Sequence, residues 1–413
     1  MTQGGAGKAA VAIVGVGVKA PGGNTIADLW QTLLAAKTSA EVFRDDRLPA
    51  GADMLVSRVE GFDAAEYCNP VEMRRLDRSH LLAIAAAQDA IDALAGALPP
   101  PERRAVVCGV GFGATATYEF QYGRLLEGGV RALSPLVIPM VMPNGAAAHL
   151  SLRFQLQGPC HTISSACASG ATAIAEGVEL LRRGAADLVL AGGVDSMVNY
   201  NAMVSFMRLD AMSRNVAAPE VASRPFDVDR DGFVMAEGAG FVVLERGDDA
   251  NELGHEVLGY VRGAGSCADA FHLVAPSENG EGALRCMRLA LADADASPRE
   301  INHVNAHGTS TVLNDLAEAT AISALFGDDA APITAVKGST GHMIGGSGAV
   351  EAIVTLWSLR AGVVPAVSGH AELDPKMSID VVSGAPRPIA EGYGLTNSFG
   401  FGGANTSLVL SAP

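Results

Sequence analysis

At 413 residues, with 49% apolar and only 18% charged side chains, the chain is long enough for a large duplicated unit and too apolar for an extended disordered protein. Its 29 basic against 45 acidic side chains leave a formal charge of −16, which repels phosphate backbones and excludes general nucleic-acid binding. An acidic partner needs a local basic patch, for which Arg74, Arg75 and Arg78 are the candidates.

The apolar run Val11 to Val18 is strand-length, broken by Gly15 and Gly17, and far short of the about 20 apolar residues of a membrane helix. It also lacks the core and cleavage site of a signal peptide. GVGVKA imitates a dinucleotide-binding fingerprint. Pro21, Gly22 and Gly23 lengthen the loop, however, and no strand ending in an acidic residue follows at the required distance. Cys68, Cys108, Cys160, Cys167, Cys267 and Cys286 are scattered without a CxxC pair. That argues against a disulfide framework or zinc site and for a soluble protein of the reducing cytoplasm.

Along the chain, strand-like and helix-like runs alternate: AVAIVGVGV, the amphipathic ADLWQTLLAAK, then RAVVCGV, then DLVLAGGV after the small-residue helix ASGATAIAEGVELLRRG. DVDRDG, from Asp227, imitates a calcium loop, but Gly238 stands where its last acidic ligand belongs and the strand GFVVLER follows. A structural turn, its acids paired with Arg224 and Arg230, is expected instead. A second series runs from HEVLGYVRGAGS through GALRCMRLALADA, INHVNAHG, DLAEATAISALFG and GAVEAIVTLWSLRAG to TSLVLSA. The two series are alike, so the pattern predicts a duplicated α/β core joined near residues 246–256, with halves 1–250 and 251–413.

In HTISSACASGATAIAEGVELLRRG, Cys167 falls between a strand and the small residues that begin a helix, with Arg182, Arg183 and Gly184 at its end. A helix N-terminus favours the thiolate that a cysteine nucleophile needs; a small core cysteine is the plainer alternative. His307, in VNAHGTST, follows a strand end, and His342, in KGSTGHMIGGSG, lies in a loop leading into a helix. Two neutral imidazoles can hold a thioester oxygen as it becomes an enolate. Lys337 and Glu351 flank the second loop and can order it. His303 and His307 have the spacing of a zinc helix, but on a strand-like run that spacing does not converge, so no metal is expected. TNSFGFGGANTSLVL ends the chain with a glycine-rich turn able to present a backbone N–H to an oxyanion.

Taken in order, SSACASG, VNAHGTST, KGSTGHMIGGSGAVE and NSFGFGGAN resemble the motifs of the elongating β-ketoacyl-[acyl carrier protein] synthases and related polyketide ketosynthases, over essentially the whole chain. The resemblance implies the thiolase fold, with duplicated βαβαβ halves in a five-layered α-β-α-β-α core. It implies a homodimer, or a heterodimer with a chain-length-factor-like subunit, and no organic cofactor beyond the phosphopantetheine of an acyl carrier protein. By matched position, Cys167 accepts the acyl chain, with the N–H groups of Cys167 and Phe401 as oxyanion hole. His307 and His342 bind the malonyl thioester, and Lys337 and Glu351 order the site. Asp315 backs the first histidine loop, Thr309 and Thr311 contact pantetheine, and Phe401 gates the site beside Phe233 and Asn405.

The chain departs from the family pattern at three positions. Val312 stands where a proline commonly follows the second threonine, which should loosen that turn. Phe112 replaces a smaller aliphatic residue of the acyl pocket and should favour short primers. Asp210 stands near a customary arginine, leaving Arg74, Arg75 and Arg208 to dock the carrier protein. The presence of Cys167 argues against a non-catalytic partner subunit. The lack of a second cysteine in the C-terminal turn argues against a CoA-dependent thiolase.

Overall fold

In the computed structural model, residues 10–48, 52–327 and 329–413 are described; the short N-terminal tail before the first strand lies outside them. From the first part of the chain come β1 (Val11–Lys19), β2 (Arg104–Gly109), β3 (Cys160–Ile163), β4 (Leu188–Ser196) and β5 (Met235–Arg246). From the second come β6 (Gly259–Ala268), β7 (Ile301–Asn305), β8 (Ile333–Thr334), β9 (Tyr393–Gly400) and β10 (Ala404–Ser411). They follow one hydrogen-bonded series, β8-β7-β9-β10-β6-β1-β5-β4-β2-β3.

The internal symmetry is in the order and the directions. In the first five strands, β3, β2 and β4 are parallel while β5 runs antiparallel to both β4 and β1. In the second five, β8, β7 and β9 are parallel while β10 runs antiparallel to both β9 and β6. The two sets meet where Val11, Ala12 and Ile13 pair antiparallel with Val261, Tyr260 and Gly259. The helix Gly247–Leu253 links them along the chain. Residues 255–258 precede β6 rather than belonging to it, and His255 is instead held by Glu245, Nδ1 lying 2.8 Å from Oε2.

Alternation along each strand sends successive side chains to opposite layers. Val106, Leu190 and Val243 pack against α1 (Arg78–Asp92) and α3 (Gly145–Phe154) on the outside. Val107, Val189 and Val242 pack inward against α4 (Ser169–Arg182) and α8 (Ser347–Ala361), as do Leu408 and Leu410 of the second half. Val304, Leu395 and Val409 face α6 (Glu281–Asp293) and α7 (Val312–Phe326). The result is five layers, α-β-α-β-α, with both faces of each sheet covered. That is why the strands read as nearly continuous apolar runs.

Small residues set the layer spacing. A Cβ at Gly15 or Gly17 would lie 2.1 Å from the Ala90 carbonyl or 1.9 Å from that of Ala86, so these glycines let α1 lie on β1 rather than cradle a nucleotide. In the middle layer a Cβ at Gly170 would lie 2.9 Å from Ala349 N, and one at Gly348 2.8 Å from Ala171 N. The two central helices therefore cross at their first turns, and the loops before them converge.

DVDRDG forms a turn, but not through the expected ion pairs. Asp227 accepts backbone N–H groups of Asp229, Ala371 and Glu372, and Asp231 accepts from Ser213 and Arg214 N. Arg230 pairs with Asp374 at 2.8 Å and faces Asp315 at 3.7 Å, because Asp227 is taken up by backbone N–H groups and Asp229 and Asp231 are exposed.

Candidate active site

Cys167 sits in the turn Ala166–Ala168 that opens α4, with Ala166 in the left-handed region at φ 50°. The bend turns the thiol away from the helix toward the loop before α8. Gly400 is required beside it, since a Cβ there would lie 2.5 Å from the Ser165 carbonyl and 3.2 Å from Cys167 N. The Phe401 N–H consequently donates to the sulfur. The sequence reading expected a thiolate. Burial instead pushes the thiol up to about 11, with Lys337 and the Phe401 N–H pulling the other way. Desolvation of a residue only 7% exposed outweighs the helix terminus.

The two histidines complete the group: Sγ of Cys167 and one ring nitrogen of each of His307 and His342 all lie within 4.8 Å of one another. One reacting carbon, or one thiophilic ion, can touch all three. Lys337 Nζ lies 3.3 Å from His307 Nδ1 and donates to the His307 carbonyl at 2.6 Å. An ammonium has only protons to give, so His307 Nδ1 must accept and the proton resides on Nε2. At His342, Nδ1 is 3.0 Å from Ser347 Oγ, which accepts the Met343 N–H at 2.9 Å and keeps a proton of its own; with that proton given to Nδ1, the ring proton resides on Nε2. Both imidazoles thus present an N–H to the cavity. Burial, then the charge of Lys337, holds both well below the usual histidine range, so both are neutral.

The support is equally buried. Lys337 forms an ion pair with Glu351, both side chains wholly enclosed. Asp315 Oδ2 accepts the Phe226 N–H at 2.8 Å, fixing the segment behind the first histidine loop. Thr309 and Thr311 line the cavity with hydroxyls 2.9 Å apart. Val312 begins α7, and its turn is not loose: Arg230 donates to the carbonyls of Thr311 and Val312 at 3.4 and 3.1 Å.

Three supporting residues escaped the sequence reading. Glu318 accepts the N–H groups of His307 and Gly308, each at 2.8 Å, and burial pushes its carboxyl up to about 7. Asp195, at the end of β4, accepts N–H groups from Gly111, Phe112, Gly113 and Gly345 and stands at about 6, burial raising it against those four bonds. Ser347 sets the His342 tautomer. Signals existed for two: an acid closing the apolar strand LVLAGGVD, and an acid on the alanine-rich face of DLAEATAISA.

A cavity of ≈ 340 Å³ joins Cys167, both histidines, both threonines, Phe233, Phe401 and Asn405. Phe206, on α5 (Tyr200–Arg208), is its aromatic hub, with ring centres 5.7 Å from Phe233 and 6.5 Å from Phe401. Phe233 also stands edge-on to His342 at 5.4 Å. The Asn405 amide is committed to Asp269, at 2.6 Å. Phe112 contacts Phe206 at 6.0 Å but is 53% exposed and outside the cavity lining. Arg74, Arg75 and Arg208 are exposed, and none lines the cavity. Arg78 is no free docking charge, because it grips Glu237 through two bonds of 2.6 Å.

A thiol beside a backbone N–H can form and hold an acyl thioester. Two neutral N–H donors opposite it can carry the negative charge of an enolate. The comparisons with known proteins agree. The model of the β-ketoacyl synthase N-terminal domain matches residues 8–250, and that of the C-terminal domain matches residues 258–370. The 3-oxoacyl-[acyl-carrier-protein] synthase 2 of Rhizobium meliloti (strain 1021) is 38% identical, covering 97% of this chain and 98% of its own. Among solved structures, the ishigamide ketosynthase/chain length factor superposes with a TM-score of 0.90 at 29% identity, covering 98% of this chain and 100% of its own. AntDE:AntF, a type II polyketide acyl-carrier protein in complex with its ketosynthase, gives 0.90 at 26%, with the same coverage. With family models spanning both halves and a relative matched almost end to end, the chain belongs to the β-ketoacyl synthase family.

Proposed function

We propose that this enzyme is a 3-oxoacyl-[acyl carrier protein] synthase, joining an acyl chain carried on Cys167 to a malonyl thioester with loss of carbon dioxide. The observation that carries this reading is the pair of neutral imidazoles, each with Nδ1 engaged, facing one cysteine. The acyl thioester carbonyl rests on the N–H groups of Cys167 and Phe401 while the carrier thiol leaves. The malonyl thioester oxygen then takes the two Nε2 protons as hydrogen bonds. Carbon dioxide departs, and the enolate carbon attacks the Cys167 thioester, releasing β-ketoacyl carrier and cysteine. Lys337 and Glu351 hold the first histidine, Thr309 and Thr311 the pantetheine, and no organic cofactor is needed.

The chain divides into halves 1–250 and 251–413, each contributing one side of the site. The carrier protein docks through Arg74, Arg75 and Arg208, and the enzyme acts in the cytoplasm; no helix among the described residues is long and apolar enough to cross a membrane. A second subunit covers the outer edge of β3 and the exposed aromatic face of α2 (Thr115–Gly128), where Tyr118, Phe120 and Tyr122 lie more than half exposed. Phe112 lies toward the same side, so the partner would close the acyl pocket around it and favour short primers. That partner is a second copy or, in the alternative reading, a chain-length factor in type II polyketide assembly. The likeness to a ketosynthase/chain length factor supports the latter.

Purified protein offered acyl carriers of graded chain length separates these readings. Mass gain on the Cys167 peptide from short saturated acyl carriers, followed by extension with malonyl carrier, supports a fatty-acid-type homodimer. Labelling only by polyene or β-keto chains, or only with a second subunit present, supports polyketide assembly. No mass gain at Cys167 from any carrier refutes both.

A further inference from the structure

The sequence shows no cysteine pair, yet the fold makes one outside the catalytic group. Cys267 lies near the end of β6 and Cys286 lies on α6, which is laid directly on that strand. A Cβ at Gly265 would come within 2.4 Å of the Cys286 carbonyl, so glycine on the strand brings helix and strand into backbone contact. Each thiol donates to the other element: Cys267 Sγ to the Gly282 carbonyl at 3.3 Å, and Cys286 Sγ to the Gly265 carbonyl at 3.1 Å. The two thiols are therefore neighbours across this strand–helix contact. Cys267 is partly exposed and Cys286 wholly buried.

We infer that Cys267 and Cys286 form a peroxide-sensitive dithiol, a modification site separate from the catalytic cysteine, in which Cys267 takes the oxidant and Cys286 resolves it to a disulfide. The Cys267 thiolate attacks one oxygen of hydrogen peroxide; the S–O bond forms, the O–O bond breaks, and the departing hydroxide takes up a proton as water. Cys286 sulfur then attacks the sulfenic sulfur. The S–S bond forms, the S–O bond breaks, and the hydroxide leaves as water with the Cys286 proton. Both sulfur atoms are oxidised and both peroxide oxygens reduced.

The order of attack follows from the surroundings. Cys267 is drawn down to about 6 by the neighbouring Cys286 thiol, with Arg285 and the Asn405 amide adding to the effect, whereas buried Cys167 stands at about 11. The pair also lies just behind the catalytic wall. Asn405 pairs with Cys267 across β10 and β6, and Gly282, Asp269 and Asn405 line the cavity. Asp269 N donates to Gly403 and Gly402 N to Leu273, so the segment after Cys267 is tied to the Phe401 turn.

The full-length protein, treated with limiting hydrogen peroxide, blocked with N-ethylmaleimide and mapped without reductant, gives the test. The expected product is a linked Cys267–Cys286 peptide pair, formed before Cys167 is lost to oxidation and reversed by dithiothreitol. Both cysteines recovered as maleimide adducts, or Cys167 oxidised first, would overturn the proposal. In Cys286→Ser, Cys267 should accumulate as a sulfenic acid that dimedone traps; a folded variant without the adduct also overturns it. If that variant does not fold, the wild-type map decides alone.

Discussion

Lys337 Nζ lies 3.3 Å from His307 Nδ1 while also bonding the His307 carbonyl and Glu351, and this one ammonium decides which ring nitrogen of His307 carries the proton. Ser347 makes the same decision at His342. Removing either device frees the ring to adopt the tautomer that cannot donate. Lys337→Ala and Ser347→Ala should each lower malonyl-carrier decarboxylation, toward the loss of about 10²–10³-fold that follows removal of one oxyanion donor. Ser347→Ala should leave self-acylation of Cys167 nearly unchanged, and stopped-flow release of carbon dioxide beside intact-protein mass measures both.

A thiol pushed up to about 11 by burial is largely protonated at neutral pH. Alkylation of Cys167 by iodoacetamide should therefore keep accelerating well above pH 9 instead of levelling near the ordinary thiol value of about 8.5. Lys337→Ala removes a charge that lowers the thiol, so alkylation at a fixed pH of about 8 should slow further. A plateau below pH 8 in the wild type would contradict the assignment.

Asp195 gathers four N–H groups from two loops, tying the segment that carries Phe112 to Gly345 beside the second histidine. Asp195→Ala leaves those donors buried without an acceptor and should cost about 3 kcal/mol of stability. Thermal denaturation reads the cost. Decarboxylation should fall with it, because the His342 loop loses its anchor.

His303 is wholly buried on β7, and burial drops it to about 4. Between pH 6.5 and about 4 the unfolded chain holds a proton that the folded chain does not, so this residue removes stability as pH falls through that window. Its contribution is about 3 kcal/mol, fully expressed below pH 4 and absent above 7. His303→Leu should flatten the acid side of the stability curve, as urea titrations at pH 7 and 4.5 will show.

The layered fold and the reacting group were legible because motif residues lie at element ends, where a strand or helix pattern stops abruptly: Cys167 before SGATAIA, His307 after INHVN, His342 before GSGAVEAIV. The charge state of Cys167 was not legible. A helix terminus is visible in sequence, whereas desolvation depends on every residue packed around the sulfur. The grip of Arg78 on Glu237 and the meeting of Cys267 with Cys286 were hidden for a related reason, since each joins elements whose adjacency only the sheet order creates. Phe112 marks the same boundary: the motif position suggested a pocket-lining side chain, but the ring stands largely exposed outside the cavity, a placement set by packing rather than by spacing.

The central claim is that one cysteine carries the acyl chain while two neutral histidines carry the enolate, and single-turnover kinetics of His307→Ala and His342→Ala separate the two tasks. Acyl transfer to Cys167, read by intact mass, should persist at near wild-type rate in both variants, while carbon dioxide release from malonyl carrier falls by about 10²-fold or more. Loss of acyl transfer with decarboxylation intact would contradict the account.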